Sequence, residues 1–192
     1  MDKIKKYFND ISDNWTNESD DINLIRELIK ASPIKKGDSV LDIGCGKGIL
    51  TPYLYEVTKK KVIAIDIADK MIEGAKIKYN ENSNYEFICD DFLVHDFNEL
   101  FDALVVYNAY PHFLDVVAFN NKASKLLKNK GYLILMHSLG REKLNMHHHN
   151  VMEISRILEE PKKEFEYFKS DFALIKSLDM ENCYLMVLEK NI

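Results

Sequence analysis

Val40-Leu41-Asp42-Ile43-Gly44-Cys45-Gly46-Lys47-Gly48-Ile49-Leu50 decides the fold of this chain. The stretch opens with apolar residues, carries one carboxylate, and then sets glycine at every second position. Apolar residues resume at once, and Pro52 follows. The pattern predicts a buried parallel strand, a tight turn, and a helix over 48–58. Glycine permits a sharp turn and lets a ligand lie against the main chain. A helix amino terminus offers unpaired N–H groups to a polar or anionic group. Pro52 is tolerated in the first helical turn, where its missing donor is not needed. A nucleotide-like ligand suits such a turn.

Two phosphate-binding patterns fail here. A Walker loop requires Ser or Thr after its lysine, and Lys47 is followed by Gly48. The dinucleotide fingerprint would start at Gly44 and Gly46, but position 49 is Ile. What remains is Asp-x-Gly-x-Gly-x-Gly over 42–48. On these residues the chain resembles the class I S-adenosylmethionine-dependent methyltransferases, whose first motif has this form. The resemblance implies S-adenosylmethionine as cofactor. It places Asp42 near the methionine end, with Gly44, Cys45, Gly46 and Gly48 in the turn that hugs the ligand. A carboxylate ahead of the turn suits an ammonium group, whereas it would repel a phosphate.

Working outward, Lys61–Ile65 is a short apolar run that ends at Asp66, twenty residues after Gly46. An acidic residue there accepts hydrogen bonds from ribose hydroxyls, in dinucleotide folds and in methyltransferases alike. A carboxylate suits two adjacent hydroxyls because it only accepts and has two oxygens. Ile67 and Met71, at the start of the next helix, join this cofactor set. Tyr85–Ile88 forms the third strand and leads into Asp90-Asp91-Phe92. The resemblance puts an acidic residue beside the adenine amino group. Asp90 fits that place better than Asp91 in register, and Phe92 flanks the ring. Phe101–Tyr107 is the fourth strand, and the resemblance implies that its loop Asn108-Ala-Tyr-Pro-His-Phe113 carries residues around the transferable methyl. It would place Asn108 by the cofactor, with Tyr110 and His112 as the catalytic candidates. Proton removal suits His112, whose unperturbed pKa is near neutral. The loop is not Asp/Asn-Pro-Pro-Tyr, which argues against adenine-modifying nucleic-acid enzymes.

Residues 1–32 read as a helical arm with Tyr7, Phe8, Ile11 and Trp15 as its aromatic and apolar contacts. Tyr7 and Trp15 are expected at the substrate as parts of a lid. Residues 33–136 form the cofactor-binding core, and Tyr132–Met136 is the fifth strand. Residues 137–170 are a substrate-side insertion holding four of the six histidines. No His-Glu-x-x-His or Cys-His spacing occurs there, so no metal is expected. His137, Arg141 and His148 are candidates for polar substrate contacts. The spacing of Val151, Ile154, Ser155 and Leu158 predicts a helix ended by Pro161. Residues 171–192 read as two strands joined by a short polar turn, an antiparallel hairpin.

The 192 residues fit one domain with a substantial core, and the 46% hydrophobic content is that of a globular protein. The net charge of −5 advertises no general nucleic-acid affinity. Three scattered cysteines point to reduced thiols and a cytoplasmic setting. No apolar run reaches membrane-spanning length, and the amino terminus lacks a signal-peptide pattern. The expected architecture is an α/β, doubly wound, mostly parallel seven-stranded sheet with a carboxyl-terminal antiparallel hairpin. The expected activity is methyl transfer to a small-molecule acceptor, with no membrane partner. A nicotinamide-dependent oxidoreductase and a non-catalytic binding domain are the alternatives. Oligomeric state is not legible.

Overall fold

A computed structural model describes residues 2–15, 21–79 and 82–192. Its centre is a seven-stranded sheet: β1 (Val40–Ile43), β2 (Val62–Asp66), β3 (Tyr85–Cys89), β4 (Phe101–Tyr107), β5 (Leu127–His137), β6 (Phe172–Met180) and β7 (Cys183–Lys190). The order across the sheet is β3-β2-β1-β4-β5-β7-β6. The first five strands run parallel, and β7 lies antiparallel between β5 and β6. Strand order reverses at β1 and β4, so a crevice opens at their carboxyl ends.

Side-chain alternation builds a core on each face of the sheet. Leu41, Ile43, Leu104, Val106, Met186 and Leu188 join one core, with α5 (Val116–Leu126) packed on it through Phe119 and Ala123. Val40, Ala103, Val105, Leu185 and Val187 join the other, against α2 (Ile22–Ala31) and α3 (Thr51–Thr58). The Asp21 side chain caps α2, accepting from the Asn23 and Leu24 amides, and Ile25, Leu28 and Ile29 form the helix's buried stripe.

Two expected helices differ. The helix after β1 begins at Thr51, not at 48, because Gly44, Gly46 and Gly48 all take positive φ, outside the α-helical region. No α-helix forms over 151–158. Instead His149–Val151 is a 3₁₀ turn, followed by turns and irregular backbone. The backbone donors there are taken by tertiary partners: Arg156 N–H donates to the Pro111 carbonyl at 3.0 Å, and Leu158 N–H to Asn145 Oδ1 at 2.9 Å. The insertion's longest helix is instead α6 (Arg141–His148). The remaining helices are α1 (Asp2–Ile11), α4 (Asp69–Tyr79) and α7 (Pro161–Glu164).

Candidate active site

A cavity of about 450 Å³ fills the crevice at the carboxyl ends of β1, β2 and β4. Its floor is the glycine turn, with Gly44, Cys45 and Gly46 facing it. Gly44 has φ +68°, and a Cβ there would stand 2.5 Å from the Ala109 side chain, so only glycine fits. The turn is fastened to β2. Gly44 N–H and Cys45 N–H both donate to the Ile65 carbonyl, at 2.8 and 3.1 Å. Gly46 N–H donates to Asp66 Oδ2 at 2.8 Å, and Ala68 N–H donates to Asp66 Oδ1 at 2.8 Å. A carboxylate has about four acceptor sites, so Asp66 can still take a ligand hydrogen bond beside its backbone amides. Burial raises the Asp66 pKa, opposed by those amides.

Ile67 and Met71 continue this wall, and Asp90, Asp91, Phe92 and Leu93 close the next side. The two aspartates differ in what they have left to offer. Asp90 Oδ2 pairs with His95 Nδ1 at 2.8 Å, and its other oxygen accepts the Asp91 amide. Asp91 Oδ1 accepts from Leu93 N–H, but Oδ2 is buried without a protein partner. Both line the cavity: Asp90 is exposed and keeps a lone pair on each oxygen, while the unpartnered Asp91 oxygen is buried.

The third side comes from the loop after β4. Asn108 takes φ +56°, and its amide is locked to Ser138, donating to Oγ at 2.9 Å and accepting from the amide at 2.8 Å. Its contribution to the cavity is shape rather than a free hydrogen bond. His112 faces the cavity, and its Nδ1 lies 2.9 Å from the Ile154 carbonyl. A carbonyl only accepts, so Nδ1 carries the hydrogen and Nε2 keeps a lone pair. Burial lowers the His112 pKa, which leaves the ring neutral near pH 7.

The roof is the amino-terminal arm. Ile4 and Phe8 of α1, together with Trp15, line the cavity. Phe8 meets His112 edge-to-face at 4.9 Å and Trp15 at 6.1 Å. Lys47, within the glycine turn, donates to the Ser12 and Trp15 carbonyls at 2.7 and 3.2 Å. Asn9 bridges to α4 through the Asp69 side chain and the Lys70 amide. The glycine motif thus carries a lysine whose work is to hold the arm down.

Comparison with known proteins identifies this assembly. Residues 41–135 match the family model described as a methyltransferase domain. The chain belongs to the class I S-adenosylmethionine-dependent methyltransferases. It is 38% identical over 95 residues to a malonyl-[acyl-carrier protein] O-methyltransferase of Acetivibrio thermocellus, covering 49% of this chain and 33% of the relative. It is 30% identical over 132 residues to ribosomal RNA small subunit methyltransferase A of Staphylococcus carnosus, covering 65% and 44%. The chain spans less than half the length of these curated relatives. Its fold matches that of the DhpI–SAH complex with a TM-score of 0.79 at 16% identity, over 99% of this chain and 96% of the other. S-adenosylmethionine is the cofactor of this family.

The residues present fit that cofactor. Asp66 offers lone pairs at the end of β2, Asp91 holds an orphaned buried oxygen, and Gly44 keeps the floor free of side chain. Ten of the twelve cofactor positions expected from sequence line the cavity: Gly44, Cys45, Gly46, Asp66, Ile67, Met71, Asp90, Asp91, Phe92 and Asn108.

Other expected site residues stand elsewhere. Asp42 shares the Val40 face of β1 and turns beneath the floor toward α3, where it accepts from Thr51 Oγ1 at 2.7 Å. Burial there raises its pKa to about 7. Gly48 faces Tyr79 and Phe87, where a Cβ would come within 2.9 Å of both rings. Tyr110 is fully buried and donates to Glu164 Oε1 at 2.6 Å, so it belongs to the core and not to the cavity. Tyr7 packs on Phe8 without lining the cavity. Arg141 is spent on Asp179 at 2.8 Å. His148 stands behind His112, ring centroids 5.3 Å apart. His137 is fully buried beside Tyr184. Among the described residues no cluster of His, Cys, Asp or Glu could hold a metal ion. Burial raises the pKa of Cys45, which favours the protonated thiol over the thiolate.

His137 should make the fold acid-labile. Both of its nitrogens are buried without a partner. Burial, reinforced by nearby His148 and His112, lowers its pKa to about 3, and burial lowers that of His148 to about 4. The unfolded chain binds these protons near pH 6.5 and the folded chain does not. Their stabilisation is therefore complete above pH 6.5 and is lost as pH falls toward the folded values, at up to about 1.4 kcal/mol per pH unit per histidine. Urea unfolding from pH 7 to 5 should show this slope, and His137→Leu should make it shallower. An unchanged slope in the variant would place the lability elsewhere.

Proposed function

We propose that this chain transfers a methyl group from S-adenosylmethionine to a small-molecule acceptor. The observation that carries the reading is a single cavity joining the Asp66 and Asp91 acceptors to a neutral, oriented His112, roofed by α1 and Trp15. When bound, the cofactor supplies an electrophilic methyl group. Asp66 would receive the ribose hydroxyls, and Asp91 with Asp90 the adenine amino edge. Phe92 and Met71 would bracket the ring. His112 Nε2 would take the proton that the acceptor loses. Arm and floor would shield the bound ligands from water, and much of the acceleration would come from orientation.

In this reading the chain is one methyltransferase domain. Residues 1–32 act as a lid, 33–136 hold the cofactor, 137–170 back the acceptor side and 171–192 complete the sheet. Residues 1 and 16–20 of that lid lie outside the described residues. A small acceptor is favoured over nucleic acid by the roofed cavity and the net charge of −5, although some relatives are ribosomal RNA methyltransferases. No helix of the described residues is long and apolar enough to cross a membrane. Cys45, Cys89 and Cys183 are free thiols, which suits a reducing cytoplasm.

Calorimetry with S-adenosylhomocysteine and NAD tests the proposal. Micromolar binding of S-adenosylhomocysteine with no heat from NAD is the expected outcome. Binding of NAD instead would move the assignment to an oxidoreductase. Binding without turnover of any acceptor would leave a non-catalytic domain.

A further inference from the structure

The acceptor side of the cavity is apolar and aromatic around one base. Ile4 and Phe8 share a face of α1, Phe8 touches both Trp15 and His112, and all four line the cavity. Charged groups are already committed. Lys47, the one lysine or arginine among the described lining residues, is bonded to two arm carbonyls. An anionic acceptor would find no counter-charge there. Asp66 holds backbone amides, Asp90 holds His95, and Asp115 caps α5 by accepting from Ala118 N–H. Asp91, with its unpartnered oxygen, stands after β3, on the cofactor side. The cavity carboxylate nearest His112 in sequence is Asp115, an exposed helix cap, so a cationic amine would find only a solvated counter-charge there.

We infer that the acceptor is a neutral phenol, docked between Phe8 and Trp15 with its hydroxyl on His112 Nε2. The inference rests on the methyl-transfer reading above. A neutral acceptor must shed a proton when its heteroatom gains a methyl group, and His112 is the base that faces it. The phenolic O–H is acidic enough to pass its proton to a neutral imidazole as the new bond forms, with a pKa near 10 as in tyrosine. An aliphatic hydroxyl is far less acidic. Aromatic walls also favour a flat ring. The phenolic oxygen forms a bond to the methyl carbon, and the carbon–sulfur bond of the sulfonium donor breaks with its electron pair left on sulfur. The O–H proton passes to His112 Nε2, giving an aryl methyl ether, a thioether and an imidazolium.

The test uses the full chain saturated with S-adenosylhomocysteine. Trp15 is the only tryptophan, so its fluorescence reports occupancy of this end of the cavity. Titration with p-cresol, benzylamine and p-toluate should show p-cresol binding at least tenfold tighter than either charged ligand. His112→Leu should weaken p-cresol at least tenfold while S-adenosylhomocysteine affinity stays within twofold. With a methyl-labelled sulfonium donor, label should appear on p-cresol oxygen, and His112→Gln should lower kcat by a hundredfold or more. Preference for benzylamine or p-toluate, or p-cresol binding indifferent to His112, overturns the phenol assignment while the cofactor reading stands. Failure of S-adenosylhomocysteine to bind overturns both.

Discussion

Asp66→Ala should weaken S-adenosylhomocysteine binding at least a hundredfold in calorimetry. Two effects add. The variant removes a carboxylate that can accept from adjacent ribose hydroxyls, and hydrogen bonds to a charged acceptor are worth about 1.5–3 kcal/mol. It also unties the floor. Asp66 takes the Gly46 amide on one oxygen and the Ala68 amide on the other, so it links the glycine turn to the entry of α4. Without it the turn keeps only the Ile65 carbonyl as its anchor to β2. Asp66→Asn separates the two contributions. Its one carbonyl oxygen can still serve one amide, but its NH₂ meets a second donor, so the loss should be nearly as large. A stability change under about 1 kcal/mol beside the binding loss would mark the site, not the fold, as the thing damaged. Retention of affinity within threefold in Asp66→Ala would mean that the ribose is held elsewhere.

The parallel core was legible because its signals are local. Four-residue β1 is buried throughout, and its apolar run, glycine turn and Pro52 announce strand, turn and helix in order. Phe101–Tyr107 and the final hairpin read equally well, since apolar runs bounded by turn residues fix a strand's extent. The cofactor side followed from those strand ends. What stayed hidden depends on contacts between distant residues. Asp42 is in the motif, yet strand alternation aims it at Thr51 beneath the floor. Lys47 looks like a phosphate-binding residue, and only the folded arm shows its partners to be carbonyls 32 and 35 residues away. The different partners of Asp90 and Asp91 were also hidden: His95 pairs with Asp90, while one Asp91 oxygen is buried unpartnered. Tyr110 and His112 are both catalytic candidates in the sequence, but the 3₁₀ turn at Tyr110–His112 sends Tyr110 inward while His112 faces the cavity. Periodicity over 151–158 suggested a helix because apolar spacing says nothing about competing hydrogen-bond partners.

Those partners lead to the other large effect: Arg156→Met should cost about 3–5 kcal/mol in urea unfolding. Glu164 is fully buried, and Arg156 is its counter-ion, bonded through both terminal nitrogens. The Tyr110 hydroxyl and the Glu159 amide complete the carboxylate's shell. The guanidinium also lies 4.6 Å over the Tyr110 ring and 5.8 Å over Tyr167. Methionine keeps much of the side-chain volume and removes the charge, which leaves a buried carboxylate without its cation. The penalty comes from that unpaired charge more than from lost attraction. Arg156→Met with Glu164→Gln should therefore recover most of the loss, since glutamine still accepts from Tyr110 and carries no charge. The pair also frames the base. Arg156 N–H holds the Pro111 carbonyl, and two residues earlier the Ile154 carbonyl holds His112 Nδ1. Loosening this segment should lower kcat in the single variant and restore it in the double. A single variant losing less than 1 kcal/mol, or a double no more stable than the single, would show that the ion pair is not what holds the insertion against the β4 loop.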